Sequence, residues 1–512
     1  MVAHVPPSTG ASPALAGART SRQPRLIYND DGDSVVFLPH RVPMSVGQLT
    51  DLIDQFSGTQ VDRFVFCLGD GRVAMHDSRV ADRIWELAKG EYLSHVFYRY
   101  SENARALVEK GFDPPQALAK RARELGMEYF LNLRMNDAHF AYSREGPERS
   151  LFAGTFWHKH PELRIGGEGY QRHLFDYSHS AVREFRLAYI REVCSKYDFD
   201  GFELDFLRHP FFFPAGEGTR RADSMTLLVR EVRKILDQES GSKGKRLQLG
   251  VLVPRTLKAG LDTGLDVAAW VKEKLIDWVV PKHYIRFNMD VAVEEFLKLA
   301  AGSGVRVAPC LEQRQDVSDE QFRAAASRYW QAGVDSLYLY NFFNHRPHPL
   351  CQQDRNILGE AGDPESIRLR DKHYFLLPNS KSDLADEPRP LPMQLSTAAE
   401  GHSVALVIGD DLKAAAAGGY LREVTLRLGV PGITPETDVW AVHLNGSEIP
   451  SHQQKCEADA VAFSERWIEL NLTAGPYPAP GRNEVRFFLR KRNPRVKQPL
   501  ELTEVELTVR YR

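Results

Sequence analysis

Between residue 26 and about residue 375 the chain alternates short apolar runs with amphipathic stretches, the pattern of repeated βα units around a parallel sheet. The runs predicted as strands are 63–69, 94–98, 128–134, an acidic segment within 197–209, then 247–253, 277–281, 305–311 and 336–340. Eight strands with intervening helices predict an α/β fold, a (β/α)8 TIM barrel over 26–377. The helices carry signals of their own. Asp113 stands ready to cap a helix that takes Pro114 and Pro115 in its first turn and stops at Gly126. Val182, Phe185, Tyr189, Ile190 and Val193 recur at helical spacing ahead of the acidic strand. A polar, proline-punctuated stretch at 378–392 reads as a linker. Beyond it the period changes to two. The runs 404–408, 423–428, 439–444, 467–470, 484–489 and 504–509 predict a C-terminal antiparallel β-sandwich over 393–512, with Asn445-Gly446 as a hairpin turn.

Composition narrows the partners. Lys+Arg number 66 against 68 Asp+Glu, a formal net charge of -2, which offers no long-range attraction for nucleic acid or an anionic membrane. No run of 18 apolar residues predicts a membrane span. Residues 1–25, rich in Ala, Pro, Ser, Gly and Arg, read as a disordered leader without a signal-peptide core. The default expectation is a cytoplasmic protein, with export left open if the start is misassigned or a precursor is processed. Cys67, Cys194, Cys310, Cys351 and Cys456 lie far apart and read as small core residues, neither a disulfide framework nor a zinc site. No cofactor is expected, and the oligomeric state is not read.

The chemistry sits in the acidic strand. Side chains alternate along a strand, so Gly201, Glu203 and Asp205 share one face while Phe202, Leu204 and Phe206 share the other. If the acidic face points into a closed barrel, its charges cost several kcal/mol unless paired, and chemistry is the usual reason to keep them. The alternative is a structural ion-pair network with arginines or lysines. Barrel enzymes react at the C-terminal ends of their strands. Those ends supply Arg134 and Asn136, Asp205 and Arg208, His283 and Tyr284, Glu312, and Asn341. Carboxylates, an imidazole, amides and rings suit a carbohydrate substrate, whose hydroxyls take hydrogen bonds while its C–H faces stack on aromatic side chains such as Tyr284 and Trp157.

Glycoside cleavage needs one ionised acid and one protonated acid. Asp205 is the first choice for the ionised partner and Glu312 for the proton donor. Glu203, one layer deeper, is the alternative donor, because a like charge nearby raises a carboxyl pKa. Both assignments stay open at this level. The expected function is hydrolysis of an oligo- or polysaccharide. The runner-up is a non-catalytic carbohydrate-binding barrel. A metal-dependent hydrolase, suggested by the spacing of His158 and His160 together with His283, comes third, and no metal ligand is assigned. Trp440, Trp467 and Tyr477 are the sandwich's ring platforms if it extends the sugar surface.

The segment Asp200-Gly201-Phe202-Glu203-Leu204-Asp205, with Phe112-Asp113-Pro114-Pro115 leading into Leu131-Asn132-Leu133-Arg134-Met135-Asn136, resembles the bacterial glycosyl-hydrolase-like ten family and its uncharacterised barrel relatives. Val279-Val280-Pro281-Lys282-His283-Tyr284 is similar to that family's sixth-strand segment. The resemblance covers most of 60–345 and implies a barrel acting in carbohydrate metabolism. The fourth-strand motif also resembles the alpha-amylase pattern, in which the aspartate matching Asp205 is the nucleophile. Glu203 replaces that pattern's arginine, and the fifth strand ends Val253-Pro254-Arg255 without an acid, so the alpha-amylase mechanism does not carry over intact.

Overall fold

The computed structural model describes residues 24–512 except 31–36, 38, 143–145, 284–286, 313–316, 343–349, 377–389 and 459–465. Parallel strands form a ring: β1 (Leu26–Asp30), β2 (Val61–Cys67), β3 (Glu128–Arg134), β4 (Gly201–Asp205), β5 (Gln248–Pro254), β6 (Trp278–Lys282), β7 (Arg306–Val307 continuing as Cys310–Glu312) and β8 (Leu337–Tyr340). β8 pairs with β1, and β7 closes the ring. Ala308 N donates to Val279 O at 3.0 Å on one side, and Tyr338 N donates to Pro309 O at 3.0 Å on the other. Pro309 has no N–H to give, which is why β7 is interrupted there. The fold is therefore the expected (β/α)8 barrel.

One expected strand is corrected. Residues 94–98 open a helix, α2 (His95–Glu109), following α1 (Val46–Asp54); Ser94 Oγ caps α2 by accepting the Phe97 N–H at 3.3 Å. Its buried positions Phe97, Tyr100, Ala104 and Leu107 recur at helical spacing, a pattern that five residues alone do not distinguish from strand alternation. The missing strand is β1, fully buried but too short and too near the chain's start to stand out. The two differences cancel, so the acidic segment is still the fourth strand.

Further helices are α3 (Pro114–Glu124), α4 (Ser180–Lys196), α5 (Gly218–Lys243), α6 (Leu257–Asp262) and α7 (Asp319–Ala332). α3 begins at Pro114 as expected, but Asp113 makes no side-chain cap. Its carboxylate instead accepts the Tyr197 hydroxyl at 2.7 Å and pairs with Lys196 at 2.9 Å, tying α3 to α4.

Strand alternation sorts the barrel as expected. Phe202 and Leu204 join the main core shared with the helices, while Val65, Phe130, Leu252, Trp278, Tyr338 and Tyr340 belong to a separate interior cluster. Low in this interior Arg63, 1% exposed, lies between the rings of Phe130 (3.8 Å) and Trp278 (4.3 Å) and pairs with Glu128 at 2.7 Å. Gly201 is required here, since a Cβ on it would lie 2.3 Å from the Phe130 ring.

The C-terminal strands are β9 (Lys372–Leu376), β10 (Met393–Leu395), β11 (His402–Ile408), β12 (Leu421–Gly429), β13 (Val439–Leu444), β14 (Ser447–Glu448), β15 (Gln454–Ala458), β16 (Arg466–Asn471), β17 (Gly481–Lys491), β18 (Leu500–Leu502) and β19 (Glu504–Tyr511). They form antiparallel sheets in the orders β9-β19-β12-β16-β15 and β11-β17-β13-β14, with β10 paired to β18. Asn445 and Gly446 both take positive φ in the β13–β14 turn, as a tight hairpin requires. β9 lies within the range expected for the barrel, yet it pairs with β19 of the C-terminal sheet. Buried Lys372 on β9 pairs with Asp410 at 2.9 Å, and Asp410 also accepts the hydroxyls of Tyr374 (2.6 Å) and Tyr511 (2.9 Å). Gly409 meets α7 so closely that a Cβ would lie 2.3 Å from Ser327, which fixes the sandwich against the barrel. Of the sandwich rings, Trp440 Nε1 donates to Gln454 at 3.0 Å, Trp467 carries the Arg427 guanidinium at 4.2 Å, and the Tyr477 hydroxyl donates to Thr473 O at 2.7 Å. The five cysteines are free, three of them buried.

Candidate active site

The upper half of the barrel interior is polar. In the middle layer Glu203 on β4, in register with Asn132 of β3, accepts from Asn132 Nδ2 at 3.2 Å and from the Tyr338 hydroxyl of β8 at 2.6 Å. Asn29 of β1 in turn donates to the Tyr338 oxygen at 2.6 Å. Gly250 of β5 stands opposite Glu203, and a Cβ there would lie 3.0 Å from Glu203 Cγ, so glycine leaves the side chain its space. Burial pushes the Glu203 carboxyl up to about 7; its hydrogen bonds from Tyr338 and Asn132 and the charge of Arg63 oppose this, and Asp205 adds to it.

One layer higher, Asp205 Oδ1 accepts the Leu207 N–H at 2.9 Å and Oδ2 accepts the Tyr340 hydroxyl at 3.2 Å. Lys282, ending β6, places its ammonium 3.9 Å over the Tyr340 ring and 2.8 Å from Glu312 Oε2 at the end of β7. Burial pulls the Lys282 ammonium down, but the charge of Glu312, with Cys310 and Asp205, outweighs it and holds the group above its ordinary range. Asn341, just past β8 at φ 52, directs Nδ2 toward Glu312 Oε1 at 3.4 Å. Asparagine tolerates this left-handed conformation, which turns its amide toward the end of β7. Asp205, Tyr340, Lys282 and Glu312 thus form one connected chain between β4 and β7.

Glu203 permits a test independent of turnover. A carboxyl raised in the folded state binds its proton more tightly than the unfolded chain does, so stability is fullest below about pH 4.5 and declines as pH rises through 7. Glu203→Gln never acquires the charge. It should gain roughly 3 kcal/mol relative to wild type between pH 5 and pH 8, at about 1.4 kcal/mol per pKa unit. Denaturant midpoints at the two pH values check this; an identical difference at both would show that Glu203 stays ionised.

The remaining expected residues divide. Arg134, in register with Asp205, donates to Asp137 Oδ2 at 2.8 Å. Arg208 donates to His139 Nε2 at 2.8 Å. His283 Nε2 lies 2.5 Å from Asp290 Oδ1, and although burial opposes it, the neighbouring imidazole holds the Asp290 carboxyl well below the usual carboxylate range. Asn136 clamps two loops, donating to Phe175 O (2.9 Å) and Phe211 O (2.7 Å) and accepting from Phe175 N (3.2 Å). Trp157 is corrected: it is fully buried, its Nε1 donates to His173 O at 2.8 Å and Arg164 covers its ring at 3.4 Å, so no face is free to stack on a sugar. Tyr284 lies outside the described residues.

Sequence reasoning found Lys282 at the end of its strand but gave it no role, and passed over Tyr338, Tyr340 and Asn132. Their signal was parity, since each occupies the inward position of its strand, where a lysine or paired tyrosines stand out among aliphatic neighbours.

His158 and His160 each face an acid, Glu148 at 3.6 Å and Glu162 at 3.0 Å. The described residues whose potential metal-ligand atoms converge are instead Asp137, His139 and His209 at the rim. Hydrogen bonds already engage these atoms. His209 Nδ1 accepts the Ala138 N–H at 3.2 Å, His139 Nδ1 lies 2.6 Å from Asp137 Oδ1, and Arg208 engages the opposite ring nitrogen of His139. Burial lowers His209 to about 3, with Asp137 opposing and His139 and two arginines assisting. Two guanidiniums beside the cluster disfavour a further cation.

No family model matches the chain and no curated protein matches it, so its likeness to the glycosyl-hydrolase-like ten family rests on the motifs alone. Similar solved structures include the GH36 alpha-galactosidase AgaB from Geobacillus stearothermophilus, at 12% identity and TM-score 0.38 over 96% of this chain and 56% of that one. Alpha-L-fucosidase isoenzyme 2 from Paenibacillus thiaminolyticus matches at 11% identity and TM-score 0.40 over 70% of this chain and 51% of that one. The PgaB (BpsB) glycoside hydrolase domain from Bordetella bronchiseptica matches at 13% identity and TM-score 0.38 over 62% of this chain and 94% of that one. This chain spans about half the length of the first two. Its structural neighbours are glycoside hydrolases.

Proposed function

We propose that the barrel hydrolyses a glycosidic bond, with Asp205 as the ionised carboxylate and Glu203 as the group that holds the proton at neutral pH. The observation that carries this reading is a pair of acids on one inner strand face, one of them raised toward neutrality. Asp205 is anchored by a backbone N–H and the Tyr340 hydroxyl at the upper end of the strand, and two residues deeper burial brings Glu203 to about 7. A carboxyl held near neutrality beside a second carboxylate fits the proton donor of a two-acid mechanism. Glu312, the first choice for donor on sequence grounds, is engaged in an ion pair with the Lys282 ammonium at 2.8 Å. Its role in this reading is to hold Lys282, and through the Tyr340 ring the wall opposite Asp205. The ligand is a carbohydrate.

A panel of nitrophenyl glycosides and oligosaccharides tests the reading. The pH profile of kcat/KM should fall above about pH 7 as Glu203 loses its proton. Glu203→Gln should abolish that limb and slow poor leaving groups about a hundredfold more than activated aryl glycosides. Glu312→Gln should slow both alike; a selective effect of Glu312→Gln would return the donor role to Glu312.

The second reading is a carbohydrate-binding barrel without turnover. It is favoured by the burial of all three carboxylates, Glu203 at 1%, Asp205 at 0% and Glu312 at 1% exposure, each engaged by neighbours. Saturable sugar binding with no hydrolysis across the panel would establish it.

A further inference from the structure

A cavity of about 420 Å³ opens on the rim beyond β4 and β5, between the 165–171 loop, the 210–218 connection and the start of α6. Its inner wall is Phe211, Phe213, Pro210 and Pro214, and exposed Ala215 stands at the lip. The polar groups along the α6 side are already engaged: Lys258 pairs with Asp262, Thr256 Oγ1 accepts the Ala259 N–H at 3.1 Å, and Thr263 Oγ1 donates to Gly260 O at 2.8 Å. Glu168 and Gln171 complete the outer lip. The inner wall offered to a ligand is therefore aromatic and aliphatic, with the polar side chains at the lip and along α6.

This wall is fixed in place. Gly264, at φ +93, lies so close to Phe213 that a Cβ would come 2.4 Å from its ring, and a Cβ on Gly218 would lie 2.1 Å from Asp262 O. These two glycines let the start of α5 press against the end of α6. The wall follows β4 along the chain: five residues after Asp205 the segment reaches the wall at Pro210, and Asn136, just past the end of the neighbouring strand β3, grips it through Phe211 O at 2.7 Å.

We propose that this cavity is the subsite for an apolar leaving group, the aryl or long-chain alkyl aglycone of a glycoside whose sugar lies at the carboxylates. The inference rests on the glycosidase reading for its substrate, but not for its ligand class. Its volume falls within the range that small-molecule sites occupy, and an inner wall of rings and prolines suits a hydrocarbon better than a second sugar with hydroxyls on every edge.

The test uses the full chain with 4-methylumbelliferone, an aglycone alone, and with methyl and octyl glycosides of whichever sugar is turned over. Binding of 4-methylumbelliferone should saturate at one molecule per chain and weaken about tenfold in Ala215→Trp, which fills the cavity from its exposed lip. In the same variant kcat/KM for the octyl glycoside should fall about tenfold while the methyl glycoside changes less than about twofold. Ala215→Leu should act in the same direction more weakly, which covers failure of the tryptophan variant to fold. Absence of saturable binding, or equal loss for methyl and octyl glycosides, overturns the inference. Saturable binding that Ala215→Trp weakens, in a protein that turns over no glycoside, supports the apolar site and refutes the glycosidase reading instead.

Discussion

Asp205→Asn should lower glycoside turnover about a thousandfold while leaving ligand binding measurable, the range expected when a reacting carboxylate is neutralised. The amide keeps the carboxylate's size. Its oxygen can still accept the Leu207 N–H, and its NH2 can donate to the Tyr340 oxygen, so the two contacts that anchor Asp205 have neutral counterparts. What disappears is the negative charge that the proposed mechanism requires at the reacting carbon. Comparison of kcat/KM with calorimetric affinity for the same sugar separates chemistry from binding. Unchanged turnover would remove Asp205 from the mechanism, and parallel loss of binding would make it an anchor for substrate hydroxyls.

Lys282→Met should destabilise the fold by about 3–5 kcal/mol, the cost of leaving one partner of a buried pair uncompensated. Lys282 and Glu312 are each 1% exposed, and the ammonium is held between the carboxylate and the Tyr340 ring. Methionine fills much of the lysine volume, so the loss is electrostatic and not a cavity. Lys282→Met with Glu312→Gln should recover most of the stability, since the stranded charge is then gone. Urea midpoints at pH 7.5 for wild type, both single variants and the double variant check the cycle. A Lys282→Met protein within about 1 kcal/mol of wild type at pH 7.5 would show that the pair contributes nothing to the fold.

Much of the barrel was legible because β-strand alternation is local. The acidic face of β4 follows from residue parity alone, and the hairpin at Asn445-Gly446 follows from residues that tolerate positive φ. The misreading of 94–98 arose where locality fails, since five residues are too few to separate a helical first turn from a strand and the decision lay in Tyr100, Ala104 and Leu107 downstream. Trp157 was ambiguous for a different reason. An aromatic residue in a loop-rich stretch reads equally as a platform or as core, and only the guanidinium of Arg164 and the carbonyl of His173 decide.

The sequence by itself determined the strand-and-helix alternation, the switch to period two in the C-terminal sheets, and the side of β4 that carries Glu203 and Asp205. Each depends on neighbours within a few positions of one another. The partners that set the state of those acids were decided by the tertiary structure alone: Tyr338 and Tyr340 from 135 residues away, and Lys282 against Glu312 across two adjoining strands. Ring closure brings these groups together, and the balance of burial against charge that it creates around Glu203 is a property of the enclosed interior and not of the residue's type.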